Sequence, residues 1–154
     1  MIKISKILVA IDFSDYSEQT MAYAVNLTRE LKVTLIAVNV INQRDVEATE
    51  KAALMVSAIS VKDFLYEQIE ERTQKIENLI KAASFPDFDI KKVICIGVPF
   101  QKLIQVVKDE GADLVVMGRK GRSNIESVIF GSTAEKMFRH CPVPLLSVRE
   151  RGFR

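Results

Sequence analysis

The sequence predicts an α/β fold, a doubly wound, mostly parallel sheet of five strands with helices on both faces. Five short apolar runs rich in branched residues recur along the chain, and segments of helical apolar periodicity separate them. The runs are continuous rather than alternating, as expected of strands buried on both faces. Length agrees: 154 residues, 48% of them hydrophobic, suit a single domain, 1–154, with a core of its own. Parallel neighbours then require right-handed crossovers.

The first run is Ile7 to Ile11, closing at Asp12. Ser14 and Asp15 follow as caps for a helix, with Asp15 and Glu18 at capping-box spacing. Met21, Ala24, Val25, Thr28 and Leu31 share that helix's inward face. The second run is Thr34 to Val40. Asn42 to Ile59 fits no element cleanly and reads either as a short helix around Ala52 to Ser57 or as a variable insert or mobile loop. A long helix comes next, with Ser60 as N-cap and Leu65, Ile69, Ile76, Leu79, Ile80 and Ala83 inward; Ser84-Phe85-Pro86 ends it. After the third run, Val93 to Ile96, Pro99 opens a helix that buries Leu103, Ile104 and Val107 and stops at Gly111. The fourth run is Leu114 to Met117. Ser132 with Glu135 forms a capping box for the last helix, whose inward side chains are Ala134, Met137, Phe138 and Cys141, and Pro142 ends it before the fifth run, Val143 to Val148.

Charge and cysteine usage exclude several classes. Lys plus Arg is 22 against 20 for Asp plus Glu, a net +2, which argues against nucleic-acid binding through bulk charge and against a polybasic membrane anchor. No run approaches the ~20 apolar residues that span a bilayer. The opening MIKISKILVAID lacks the shape of a signal peptide, so a cytoplasmic protein is expected. Cys95 and Cys141 read as buried core thiols in a reducing compartment, without metal-ligand spacing.

Open α/β sheets bind ligands beyond the carboxyl ends of their strands. The loop after the fourth run is the most informative there. It reads Gly118-Arg119-Lys120-Gly121, then nine residues, then Gly131-Ser132-Thr133 at a helix start, and holds three of the six glycines in the chain. Glycine lets backbone N–H groups approach an anion, a helix start adds free donors and partial positive charge, and the hydroxyls of Ser132 and Thr133 add more. Arg119, Lys120 and Arg122 supply full charges. These parts describe a phosphate cradle, although a flexible turn before a well-capped helix has the same spacing. The loop is not of the G-x-x-x-x-G-K-[ST] type, because no lysine precedes Ser132, and no glycine lies in the first strand-to-helix turn, as a dinucleotide fingerprint requires. Asp12, at the first strand's end, is either a ligand-facing acid or a helix cap. His140, the only histidine, sits in a last helical turn, where it complements the dipole. Asp113 reads as serving the turn into the fourth strand.

The opening ILVAIDFSDYS, the closing HCPVPLLSV and the G-x-x-G-(nine residues)-G-S spacing together resemble the universal stress proteins, in their ATP-binding branch. That resemblance covers nearly the whole chain. It implies an adenine-nucleotide-binding, Rossmann-like fold with strand order 3-2-1-4-5. It also implies roles for particular residues. Asp12 would lie near the ribose and phosphates and help hold a divalent ion, Mg²⁺ or Mn²⁺. Val40 would offer its backbone to adenine, with Val38 or Asn39 as alternatives. Met117, Gly118, Arg119 and Gly121 would start the nucleotide loop, and Gly131, Ser132 and Thr133 would take the phosphates.

The expected function is ATP binding, with the nucleotide acting mainly as a regulatory ligand in a stress response. The alternative is a slow ATPase or nucleotidyl-transfer enzyme using the same site; no base for the attacking water is evident, and the chain lacks the S-G-G-x-D-S-like loop of related ligases. A response-regulator receiver is excluded, because the third run ends Ile96-Gly97 and the fifth Val148-Arg149, where an Asp and a Lys are needed. A homodimer is expected through the apolar fifth run, Val143 to Val148, which the implied strand order leaves at an edge and in which Pro144 suits an edge.

Overall fold

The computed structural model describes residues 1–58, 60–83, 90–120 and 130–149. Its elements are β1 (Lys6–Ala10), α1 (Ser17–Leu31), β2 (Thr34–Asn42), α2 (Gln43–Met55), α3 (Val61–Ala82), β3 (Lys91–Gly97), α4 (Pro99–Glu110), β4 (Leu114–Gly118), α5 (Ser132–His140) and β5 (Leu145–Val148). The five strands form one sheet in the order β3-β2-β1-β4-β5, and every neighbouring pair is parallel.

Side chains alternate across that sheet between two cores. Ile7 and Val9 of β1, Leu35 and Ala37 of β2, and Val116 of β4 pack under α1 and α3, against Met21, Ala24, Val25 and Ile76. Leu8, Ile36, Val38, Val115 and Met117 face the other way, against Leu103 and Val107 of α4 and Ala134 and Met137 of α5. Both faces of each central strand are therefore dry, which explains their unbroken apolar runs. Asp113 pins the central pairing: its Oδ2 accepts the backbone N–H groups of Ser5 at 2.7 Å and Lys6 at 3.0 Å. Those bonds favour the ionised carboxylate and hold its pKa below the ordinary value.

Several sequence expectations are corrected. Residues 42–59 hold α2, which starts at Gln43 rather than near Ala52; Asn42 caps it by accepting the Arg44 N–H at 3.1 Å. Neither the Asp15–Glu18 nor the Ser132–Glu135 capping box forms, because each helix is offset by one residue from that register. Tyr16 is the N-cap of α1 and Gly131 that of α5, with no side-chain cap bond at either. Leu31 and Phe138 are exposed, at the end of α1 and beside the Phe130 ring respectively. Ile69 is exposed too; in α3 only Arg72 and Ile76 are buried. Pro144 precedes β5 rather than lying in it, and its carbonyl accepts the Val115 N–H at 3.0 Å. Cys95 and Cys141 are half-buried free thiols rather than fully buried ones. The expected helix stop at Ser84-Phe85-Pro86 lies outside the described residues; α3 ends at Ala82.

Candidate functional site

A cleft of about 320 Å³ opens at the carboxyl ends of β1, β2 and β4, the size of a small-molecule site. Its position follows from topology. The chain leaves β1 toward one face of the sheet and β4 toward the other, so the first turns of α1 and α5 stand apart and leave a crevice between them.

From β1 comes a tight turn. Asp12 Oδ1 accepts the Ser14 N–H at 3.0 Å and the Ser17 hydroxyl at 3.2 Å, so the carboxylate builds the turn and reaches the start of α1. Phe13, between them, is held at φ +59°, a conformation that bulky side chains rarely take. The Ser14 hydroxyl oxygen is buried in the cleft wall and has no hydrogen-bond partner among the described residues. An orphaned buried hydroxyl at a cleft is suited to donating to a bound anion or accepting from a sugar hydroxyl.

From β4 comes Gly118. A Cβ there would stand 3.3 Å from the Lys120 carbonyl and 3.4 Å from Thr20 Oγ1, so glycine keeps the strand's exit against α1. Opposite, Gly131, Ser132 and Thr133 begin α5 and bring the N–H groups of its first turn to the cleft. Among the described residues the wall carries Arg72 and Lys120 as cations and Asp12 and Asp45 as acids. No cluster of three metal-ligating side chains occurs among the described residues.

Of the residues singled out from sequence, Asp12, Val40, Met117, Gly118, Gly131, Ser132 and Thr133 line this one cleft. Arg119 does not; its backbone instead ties the loop, donating to Val148 O at 3.1 Å and accepting from Gly131 N at 3.0 Å. Gly121 lies outside the described residues. Sequence reasoning missed Asp45 and Arg72, weighed Asn39 only as an alternative backbone contact for adenine, and named Asn42 only as the start of the insert. Two of these left a signal: Asn39 is a lone amide within an apolar run, and Arg72 sits seven residues from both Leu65 and Leu79 on the inward stripe of its helix. Burial pushes the Cys95 thiol pKa up, which disfavours the reactive thiolate.

The sequence model of the universal stress protein family matches residues 3–149. The chain belongs to the universal stress protein family. Universal stress protein MJ0577 of Methanocaldococcus jannaschii is 28% identical over 156 residues, covering 96% of this chain and 96% of its own. A solved structure of MJ0577 superposes with a TM-score of 0.78 at 25% identity, over 99% of this chain and 100% of that one. The fold also matches a universal stress protein in complex with cAMP, with a TM-score of 0.65 at 21% identity over 96% of this chain and 98% of that one. A universal stress protein from Archaeoglobus fulgidus in complex with dAMP gives a TM-score of 0.65 at 15% identity, over 96% of this chain and 100% of that one. The order 3-2-1-4-5 is thus that of the Rossmann-like universal stress protein fold.

Proposed function

We propose that this universal stress protein binds ATP with Mg²⁺ in the cleft and that the nucleotide acts chiefly as a regulatory ligand. The observation that carries the proposal is the convergence of Gly118, the first turn of α5 and the orphaned Ser14 hydroxyl on one crevice at the β1–β4 switch point. The first two suit phosphates; the wall of β2, with Val40, suits an adenine edge that bonds to backbone. Fold relatives in complex with cAMP and dAMP support the adenine class. Mg²⁺ fits the acid set in a limited way: Asp12 would hold it beside phosphate oxygens and water, since Mg²⁺ commonly takes only one or two carboxylates. Its chemistry there is charge neutralisation of the phosphates.

Slow ATP hydrolysis is the second reading, with Lys120 in the wall as the neutralising cation. Two further expectations belong with the proposal: a reducing, cytoplasmic setting, which suits two free thiols, and a homodimer paired through β5. No described helix is long and apolar enough to cross a membrane.

Chromatography of the nucleotide released on denaturing freshly purified protein tests the ligand. An adenine nucleotide near one equivalent is expected; protein that carries none and shows no calorimetric response to ATP with Mg²⁺ overturns the proposal. Turnover measured against Asp12→Ala separates ligand from substrate: turnover well above background, abolished by the substitution, favours the enzyme.

A further inference from the structure

Arg72 is 8% exposed and lies on α3, away from the strand-end loops, yet it lines the cleft. A buried guanidinium gives up its hydration and needs directed acceptors. Its Nη1 donates to Asn39 Oδ1 at 2.7 Å and its Nε to Gln68 Oε1 at 3.3 Å. Asn39 is itself only 2% exposed, and its Nδ2 donates to the Ile11 carbonyl at 2.7 Å. The hydrogen bonds thus run from α3, through β2, to the peptide just before Asp12.

From that peptide the chain enters the Asp12–Ser14 turn, with Phe13 in its left-handed conformation. Strained backbone of this kind persists where its surroundings over-determine it. Lys75, one turn beyond Arg72 on α3, places its ammonium 5.5 Å from the centre of the Phe13 ring. Arg72 therefore acts behind the first residue of the turn, while the Lys75 ammonium, ion-paired with Glu71 at 2.7 Å, lies over its middle. Asn39 suits the relay because an amide accepts and donates at once. The charge-assisted bond to its oxygen points its nitrogen at Ile11.

We infer that Arg72 is a positioning residue of the cleft: through Asn39 it fixes the Ile11–Ser14 turn in the form that presents Asp12 and the Ser14 hydroxyl to a ligand. The identity of that ligand rests on the nucleotide reading above; the brace itself rests on the hydrogen bonds alone.

Arg72→Met, Asn39→Leu and the double variant, each read in two ways on the intact chain, provide the test. Amide NMR of nucleotide-free protein reads the turn. Both single variants should shift the same Asp12, Phe13 and Ser14 resonances and speed exchange of the Ser14 N–H about tenfold or more. Unchanged turn resonances in folded Arg72→Met overturn the inference. Calorimetry with ATP and Mg²⁺ reads the consequence. Each single variant should lose about tenfold in affinity, the worth of roughly one directed hydrogen bond. The double variant should lose no more than the worse single, since both break one relay. Losses that multiply place Arg72 on the nucleotide directly and also overturn it. Should Arg72→Met fail to fold, Arg72→Lys takes its place: the ammonium still donates to Asn39, so turn resonances stay near the parent's and affinity exceeds that of Asn39→Leu. A lysine variant no better than Asn39→Leu in either measurement refutes the relay. Parent protein that binds no adenine nucleotide sinks the functional reading instead and leaves the brace to be decided by the resonances.

Discussion

Gly131 donates its backbone N–H to the Arg119 carbonyl at 3.0 Å, which closes the excursion between β4 and α5 at its neck. The Arg119 N–H in turn donates to Val148 O, so the neck is anchored to β5. The two ends of the proposed phosphate loop are therefore positioned by backbone, and their geometry does not depend on the Arg119 side chain.

This neck makes Gly131 a clean position to test. Its φ of −66° and ψ of 159° are open to any residue, so valine puts no strain on the backbone there and can keep the N–H bond to Arg119. Gly131→Val should retain the parent's thermal unfolding while ATP affinity falls by about tenfold or more, roughly 1.4 kcal/mol, because a branched side chain occupies the phosphate position. Calorimetry showing undiminished affinity would remove the loop from the site. In the parent, ADP should bind more weakly than ATP if the γ-phosphate reaches Ser132 and Thr133.

Two other glycines should differ from Gly131 and from each other. Gly97 has φ +152°, and a Cβ there would meet Lys102 Cε at 2.7 Å and Cγ at 2.8 Å. Gly111, closing α4, has φ +64° with nothing within 4 Å. Gly97→Ala should cost about 1–3 kcal/mol in chemical denaturation, from strain together with the displaced lysine. Gly111→Ala should cost less, about 1 kcal/mol, and Gly111→Asn less again. Equal losses at the two sites would contradict the difference in crowding.

Asp113 sets an acid limb to stability. Its pKa is lowered on folding, chiefly by the Ser5 N–H and then by that of Lys6. A depressed carboxylate stabilises fully above its unfolded value of about 3.9, and the contribution drains away as pH falls from there through the lower folded value. Asp113→Asn should therefore unfold at a lower temperature than the parent at pH 7, and the two curves should converge as pH drops below about 4. A constant offset across that range would show that ionisation is not what holds β4 to β1.

Light scattering should find a dimer at micromolar concentration. β5 lies at a sheet edge, with Leu145 and Leu146 only partly covered. Such an edge invites antiparallel pairing with its own copy about a two-fold axis. Deleting residues 149–154, beyond the strand, should leave the dimer intact. A full-length chain that runs as a monomer rejects edge pairing.

What the sequence shows depends on whether a residue's reason is local. Pro99 and Gly111 delimit α4 because first-turn chemistry and left-handed caps are properties of one position, and both stand where expected. The glycines at 118 and 131 were legible for the same reason. α2 was not: only Val46 among its residues is buried, so it carries no apolar stripe to announce it. The capping boxes misled because the pattern fixes spacing but not the residue at which a helix begins. Arg72 and Asn39 were invisible as a pair, since their bond joins residues 33 positions apart, and each alone looks like a flaw in an apolar pattern.

The strand order also bears on how the chain is made. β1 precedes β2 and β3 in the chain and pairs with β2, which in turn pairs with β3, but its other neighbour, Leu114–Gly118, follows about a hundred residues later. Until then the middle of the finished sheet is a raw edge, an apolar strand with one row of backbone groups unmatched. An interrupted synthesis would leave that edge exposed. Nascent chains ending before residue 114 should be the ones that engage chaperones or stick to each other, and those extending past β4 should not.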